Sequence, residues 1–414
     1  MTKNVTWWGG MWLGILIAVG CDQLERKPKA NPVEPEPVVV KNNWNKVATP
    51  AGKITKLALG YDHSCALYED GVVACWGGNA FGQLGISSEK KTSFEPTIVK
   101  EAPAFRDIVA GDSVTCGVVK DDNRELRCWG KNTFGQLGLA GNGTSSDGKL
   151  VTIMRDKDVP LAKVNRIYAN YNSICAITDE DVLCWGDSPY VYEGKDPQGS
   201  PTRVLGRLSG EKAKVPTKVN AVASSDGFGP AWDSAITIDL AILKDEVCGI
   251  IDSKLRCLKT KIEAEDVESI SGNDAALYFT KTTDHDLYKA TLKIADGSYA
   301  LSTVENLPDD KKLVSVGRTH ACTLINNNEA YCWGDKSFGQ LGFDGLAAAQ
   351  NVYALTNLHP VLMAAGTRHN CAIDKDGVTW CWGSNDQGQT GSEPKKRARV
   401  MRVIPTQEIN PEAM

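Results

Sequence analysis

Apolar residues occur along this chain in short runs, and glycine or proline interrupts them every few positions. The 39 glycines and 18 prolines are spread over all 414 residues, and long stretches with a helical period of about 3.6 residues are hard to find. Short apolar runs bounded by turn-forming residues are typical of β-strands. The pattern therefore predicts an all-β fold made of many short strands.

One stretch of the sequence returns along the chain. GYDHSCALYEDGVVACWGGNAFGQLG, which begins at Gly60, holds two cysteines ten positions apart, a Trp-Gly pair and a Gly-Gln-Leu-Gly tail. Three further good copies begin at Gly111, Gly317 and Gly366. A copy from Asn170 lacks the tail, and the copy EVCGIIDSKLRCL keeps only the cysteines.

The distances between tryptophans indicate a seventh copy. Trp185 and Trp333 are 148 residues apart, about three times the spacing of 49 between Trp333 and Trp382. The additional copy in this interval is SISGNDAALYFTKTTDHDLYKATL, in which we place Leu277 at the first cysteine position. Seven units of about 50 residues, each with about four short strands, predict a seven-bladed β-propeller.

The two cysteines of a copy are predicted to face each other across a hairpin. Pairing Cys65 with Cys75 leaves residues 69–71 as a three-residue loop that ends in glycine. Directly opposed residues of antiparallel strands have Cα atoms about 4.5 to 5.5 Å apart, which a disulfide accepts. A zinc site, the alternative, needs cysteines closer in sequence. We predict six disulfides within blades: Cys65–Cys75, Cys116–Cys128, Cys175–Cys184, Cys248–Cys257, Cys322–Cys332 and Cys371–Cys381.

The first 20 residues differ from the repeats. A charged start leads into VTWWGGMWLGILIAVG, which is short for a membrane span, and then into Cys21. Residues 18–21 resemble the lipobox of bacterial lipoproteins, with alanine where leucine is usual. We expect residues 1–20 to be a signal peptide and Cys21 to be lipidated; a buried N-terminal hairpin or an uncleaved anchor is the alternative.

The remaining chain divides into three parts. Residues 21–47 contain four prolines and are typical of an extended tether. Residues 48–405 hold the seven repeats, three of them degenerate, and residues 406–414 are a C-terminal tail.

Composition and motifs limit the function classes. A net charge of −5 gives no reason to expect a nucleic-acid partner. The chain has no Gly-x-Ser-x-Gly or His-Glu-x-x-His motif, so we expect no catalytic residue, no cofactor and no enzyme activity. His63, His320 and His369 share one repeat position. We therefore expect each of the three to make the same structural hydrogen bond in its own blade, and we favour this interpretation over a metal site.

The repeat resembles that of the regulator of chromosome condensation family. In the first copy Gly60, His63, Trp76, Asn79 and Gln83 match its pattern. The matching residues elsewhere are Gly111, Trp129, Asn132, Gln136, Gly317, His320, Trp333, Gln340, Gly366, His369, Trp382, Asn385 and Gln389, whereas Lys336 replaces the asparagine. The resemblance implies a seven-bladed β-propeller whose loops bind another protein. Eukaryotic members act as nucleotide exchange factors and a secreted bacterial relative inhibits β-lactamases, so the family does not fix one function.

Excess length between strands indicates a candidate partner site. It lies in two stretches, residues 139–159 and 188–239, and the second carries Tyr190, Tyr192, Phe228 and Trp232 beside several lysines. Aromatic residues and a few cations are enriched at interface centres. The alternative is that these aromatics pack the degenerate blades.

These observations predict a monomeric, lipid-anchored propeller in a bacterial cell envelope, periplasmic or at the cell surface. It would bind an unidentified protein as a scaffold or binding module. Inhibition or regulation of an envelope or secreted enzyme is the alternative.

A propeller must join its last blade to its first. Residues 398–405, ARVMRVIP, alternate in the manner of a strand. We expect residues 399–404 to join the blade whose other strands come from residues 52–77, which would close the ring. A frayed C-terminal tail is the alternative.

Overall fold

Seven antiparallel sheets follow one another along the chain as the blades of a propeller. The inner strand of each blade contacts that of the next, and the seventh contacts the first, so the ring is closed. The predicted fold class is confirmed. The computed structural model describes residues 52–139, 144–156, 158–187, 191–195, 201–205, 217–218, 237–243, 247–257, 262, 264–273, 276–292, 299–308, 311–326, 328–342, 352–355 and 358–404.

Each blade runs from its inner to its outer strand in chain order. The first two blades are β1 (Ile54–Leu59), β2 (His63–Tyr68), β3 (Val73–Gly78), β4 (Thr92–Ile98), and β5 (Phe105–Ala110), β6 (Val114–Val119), β7 (Leu126–Gly130), β8 (Val151–Thr152). A small hairpin follows, β9 (Met154–Asp156) with β10 (Val159–Pro160). Blade three is β11 (Val164–Asn170), β12 (Ser173–Thr178), β13 (Val182–Gly186) and, after the separate hairpin β14 (Val191–Lys195) and β15 (Pro201–Leu205), β16 (Thr217–Lys218).

The other four blades complete the ring. Blade four is β17 (Thr237–Ile242), β18 (Val247–Ile251) and β19 (Lys254–Cys257). Blade five is β20 (Val267–Gly272), β21 (Ala276–Lys281), β22 (Leu287–Leu292) and β23 (Tyr299–Thr303). Blade six is β24 (Lys311–Val316), β25 (His320–Ile325), β26 (Ala330–Gly334) and β27 (Val352–Ala354), and blade seven is β28 (Pro360–Ala365), β29 (His369–Asp374), β30 (Thr379–Asn385) and β31 (Lys395–Ile404).

The six predicted disulfides are confirmed. The two cysteines of each pair lie opposite each other in one blade, with Cα atoms 4.0 to 4.1 Å apart. The loop at residues 69–71 also forms as predicted, and Gly71 has a φ of 89° that favours glycine. In blade four the two-residue loop has φ values of 51° at Asp252 and 60° at Ser253, as a type I′ turn requires.

The hydrophobic cores lie between neighbouring blades, because side chains alternate between the two faces of each sheet. Cys65 and Leu67 of blade one pack in a cluster with Phe105 of blade two. Trp76, on the other face of blade one, packs in a cluster with Ile373 of blade seven. Each blade therefore stabilises both of its neighbours.

One hydrogen-bonded arrangement recurs where blades meet. The main-chain oxygen of Gln83 in blade one accepts from Trp129 Nε1 and Thr115 Oγ1 of blade two, each at 2.9 Å. Because the Thr115 hydroxyl donates to Gln83, its oxygen accepts from His63 Nε2, 2.9 Å away. All these groups are buried, and each keeps a partner. We call this arrangement the glutamine joint.

The glutamine joint is repeated around the ring. The tryptophan donates to the preceding blade's glutamine carbonyl from Trp76 to Gln389, Trp129 to Gln83, Trp185 to Gln136 and Trp382 to Gln340. Blade five has no Gly-Gln-Leu-Gly sequence, and Trp333 donates to the Tyr278 hydroxyl at 3.3 Å instead. The imidazole contact recurs between His320 and Asn370 and between His369 and Ser64. The predicted structural hydrogen bond of the three histidines is confirmed.

The register predicted for blade five is wrong by one residue. In blade one Ser64 pairs with Trp76, and the first cysteine follows Ser64. In blade five Leu277 takes the place of Ser64 and pairs with Ala290. Tyr278 therefore occupies the first cysteine position. Without cysteine or tryptophan in this copy, the sequence lacks the residues that fix the register.

The predicted closure by the C-terminal strand is also wrong. Residues 395–404 form β31, which pairs with β30 of its own blade. The outer position of blade one is already filled by β4. The ring closes through a glutamine joint, in which Gln389 O accepts from Trp76 Nε1 and Ser64 Oγ. The last junction is therefore built like those between blades one and two, two and three, and six and seven.

Replacing Cys65 and Cys75 by alanine should lower the free energy of unfolding by about 2 to 3 kcal/mol, because the unfolded chain loses a loop constraint. Urea denaturation measures this difference. Both sulfurs are buried, so a mild reductant should leave the native bridge intact. A bridge between two blades in non-reducing peptide mapping would contradict the pairing.

Burial lowers the pKa of His320 to about 4 and that of His369 to about 3. Nδ1 of both rings has no hydrogen-bond partner among the described residues. A proton added there would be buried without an acceptor, which disfavours the charged form. In the unfolded chain both histidines should titrate near their ordinary pKa of about 6.5.

We therefore expect the free energy of unfolding to fall as the pH is lowered from about 6.5 towards about 4, because the unfolded chain binds protons that the folded chain excludes. Each of the two histidines contributes up to about 1.4 kcal/mol per pH unit, which urea denaturation at several pH values would detect. His320→Gln keeps a donor near Asn370 without titrating and should reduce this slope. His285→Gln, at an exposed histidine, is the control. Equal slopes for all three proteins would refute the assignment.

Candidate partner-binding face

The ring has two ends with different loops. Loops between second and third strands, such as residues 69–71, form what we call the hairpin face. Because the strands of a blade are antiparallel, turns such as residues 60–62 and longer loops such as residues 79–91 lie at the opposite end. We call that end the loop face.

Asparagine and glutamine side chains support the long loops from inside. Asn79 Oδ1 accepts from Leu84 N, and Asn79 Nδ2 donates to Lys90 O at 2.8 Å. Gln83 Oε1 accepts from Phe81 N at 2.9 Å. The loops that contain Gln136, Gln340 and Gln389 repeat the glutamine contact. The most regular polar residues of the repeat therefore fix the shape of the loop face.

Aromatic side chains on these loops make cation–π contacts with lysine and arginine side chains. Lys131 Nζ lies 5.5 Å from the ring centre of Phe81 and 5.3 Å from that of Phe134. The guanidinium of Arg368 lies 4.5 Å from the ring centre of Phe338. Such pairs contribute about 0.5 to 1 kcal/mol each at exposed sites.

The centre of the loop face is a narrow opening between the inner strands, lined largely by glycines and small side chains. Arg318 of blade six lies 5.0 Å from the ring centre of Tyr171 of blade three. Beside the opening, Arg368 of blade seven donates to the Tyr61 hydroxyl of blade one at 3.3 Å. Tyr61 is 37% exposed, so aromatic surface is accessible here.

Carboxylates of the loop face are held by hydrogen bonds from nearby loops. Burial acts to raise the pKa of Asp335, but hydrogen bonds from Ser337 and Gln340 are among those that outweigh it and lower the pKa. The Ser88 hydroxyl and N–H lower the pKa of Asp147. Both acids are therefore ionised and fixed in position at neutral pH.

The residues predicted for partner binding are not brought together in the described part of the chain. Tyr190, Phe228 and Trp232 lie outside the described residues, as does the predicted lipidation site, Cys21. The backbone of Tyr192 lies in β14, and its side chain is outside the described part of the structure. Their predicted roles stay predictions.

Sequence reasoning missed the aromatic residues of the loop face. Phe81, Phe134 and Phe338 each stand two positions before the loop glutamine, and this regularity was the available signal. Lys131 has no such regularity, and its place over two rings depends on the packing of two blades.

Two negative findings apply to the residues that the structure describes. None of their His, Cys, Asp and Glu side chains form a group of three or more that could hold a metal ion. They include no helix with the length and apolar character of a membrane span.

Family models match the repeats. A model of the regulator of chromosome condensation (RCC1) repeat matches residues 54–83, 105–136 and 361–389, and a second model of that repeat matches residues 70–118. The ultraviolet-B receptor UVR8 of Arabidopsis thaliana is 26% identical over 314 residues, which cover 70% of this chain and 67% of the receptor. The probable E3 ubiquitin-protein ligase HERC4 of Homo sapiens is 37% identical over 89 residues, but these span only 8% of the ligase and 21% of this chain.

Solved structures show the same architecture. Yeast RCC1 (Prp20), in its crystal structure with Kap60, has a TM-score of 0.60 at 16% identity, and the match covers 90% of this chain and 92% of that one. At this identity the similarity concerns the fold. Together with the seven sheets, it shows that this chain is a seven-bladed β-propeller, in which residues 54–136 and 361–389 match models of the regulator of chromosome condensation repeat.

Proposed function

We propose that this protein is a lipid-anchored, extracytoplasmic propeller that binds another protein through its loop face and acts as a monomer. The observation that carries the proposal is the set of cations stacked on aromatic rings at that end. Aromatic and arginine side chains are enriched among residues that dominate binding energy. The loops that hold them are fixed by buried side chains, so little ordering is needed on binding.

Relatives support a binding role. The yeast RCC1 structure contains a propeller of this fold bound to Kap60, and UVR8 is a receptor by name. A partner protein is therefore a reasonable ligand class for this chain. Inhibition of an envelope or secreted enzyme is a specific form of the same role, and a fall in the partner's activity on binding would identify it.

The proposed location has two supports. Residues 18–21 resemble a lipobox that ends at Cys21. The six disulfides are typical of proteins that fold in an oxidising compartment. Lipid chains on Cys21 would hold the propeller at a membrane through the Pro-rich segment 21–47.

The anchor can be tested by one substitution. Cys21→Ala should move the protein from the membrane fraction to the soluble fraction, because it removes the acceptor of the lipid. The melting temperature of the propeller should not change, since Cys21 is outside the repeats. Fractionation and mass spectrometry of the N-terminus measure both effects. A Cys21→Ala protein that still sediments with membranes would rule out the lipid anchor.

The binding face can be tested by photo-cross-linking in the native envelope. A photoreactive amino acid at Thr133, an exposed residue beside Phe134, should capture a distinct partner protein. The same amino acid at Asp376, exposed on the hairpin face, is the matched control and should capture little. Capture at Asp376 alone would place the partner on the hairpin face and contradict the proposal. Capture at neither site would count against protein binding.

A further inference from the structure

Two neighbouring loops of the loop face form one continuous surface. Residues 79–91 of blade one and the described residues 144–150 of blade two contact each other, and Ser88 N donates to Asp147 at 2.8 Å. The contact is so close at Gly82 that an added Cβ would lie 2.0 Å from Gly148 N. A surface made by both loops is therefore fixed by backbone packing.

This surface carries an excess of positive charge. The described residues 79–91, 131–139 and 144–149 contain four lysines and two acids, Glu89 and Asp147. The whole chain, in contrast, has a net charge of −5. We define the lysine patch as Phe81, Lys90, Lys91, Lys131, Phe134 and Lys149.

The lysines of the patch differ in their ion pairing from the cations in the half of the ring nearer the hairpin face, which we call the hairpin half. Ion pairs seen there include Lys56–Asp107, Arg124–Asp179, Arg155–Asp181, Lys254–Glu265 and Lys311–Asp286. Among the described residues, none of the four patch lysines makes a direct ion pair. Lys90 donates to the Ser93 hydroxyl, and Lys131 lies over two rings. Lys91 and Lys149 act on Asp147 at longer range and help to lower its pKa. Because four lysines face only two acids here, positive charge remains for an external carboxylate.

Apolar surface lies beside these charges. Phe81 and Phe134 are half-buried under Lys131, and Leu139 of the same loop is 39% exposed. Each ring is partly covered and lies beneath the Lys131 ammonium, so apolar surface and positive charge are adjacent here. A chain that carries both acidic and apolar side chains would complement it.

We propose that the lysine patch docks a partner segment rich in Asp and Glu with interspersed apolar side chains. This proposal rests on the proposed protein-binding function and adds the position and chemistry of the contact. Carboxylates of the segment would pair with Lys90, Lys91 and Lys149, and its apolar side chains would pack against the Phe81 and Phe134 rings and Leu139.

The test uses a labelled synthetic peptide of Glu, Asp and Leu interspersed with Ser, and an isostere with Gln and Asn in place of the acids. Fluorescence anisotropy with the full propeller should show that the acidic peptide binds and that salt weakens it. Lys149→Glu and Lys131→Glu should each weaken binding at least about tenfold, which corresponds to about 1.4 kcal/mol. Lys131→Arg should retain it, and Lys375→Glu, at an exposed lysine of the hairpin face, is the matched control.

Several results would overturn the proposal. They are equal binding of the isostere, equal weakening by Lys375→Glu, and no binding of the acidic peptide. Binding of anionic-lipid vesicles in place of the peptide would assign the patch to a membrane, and self-association lost in Lys149→Glu would assign it to a second copy. If Thr133 still captures a partner in the Lys149→Glu protein at the original level, protein binding stands and only the lysine patch assignment fails.

Discussion

The hydrogen bonds that the main-chain carbonyl of a loop glutamine accepts from the next blade are the constraint on which this propeller depends. The Gln83 oxygen accepts from the indole of the next blade, while the Gln83 side chain holds its own loop. A buried indole N–H without an acceptor would destabilise the fold, so loop shape and blade packing are fixed together. Because Gln389 and Trp76 repeat the contact between the last and first blades, the ring closes without an exchanged strand.

The same constraint shapes the surface available for binding. Since buried asparagine and glutamine side chains hold the loops, the phenyl rings at their tips are in place before any partner arrives. The cations at the two ends of the ring also make different contacts. Cations of the hairpin half pair with carboxylates of neighbouring blades, as Arg124 does with Asp179, whereas Lys131 on the loop face lies on aromatic rings. The ion pairs at one end therefore strengthen the ring, and the cations at the other end would serve the proposed partner contact.

The degenerate blades show how far the joint can vary. Blade five lacks the loop glutamine, and the Tyr278 hydroxyl replaces its carbonyl as the acceptor for Trp333. Ala290 stands where five of the other blades have tryptophan. Side chains from the neighbouring blades complete the packing here, because every core in this fold is shared. A weak copy of the repeat is therefore tolerated within the ring.

The sequence by itself determined the blade number, the six disulfides, the hairpin loop at residues 69–71 and the common role of three histidines, because each depends on local spacing that repeats. It did not determine the register around Leu277, where no cysteine or tryptophan marks the strand, or the partner of residues 395–404, whose alternation fits any open sheet edge. Only the tertiary structure decided these, because β4 already fills the edge of blade one and Gln389 seals the ring. The lysine patch likewise required it, since Lys131 and Phe81 belong to different blades and meet only when the blades pack.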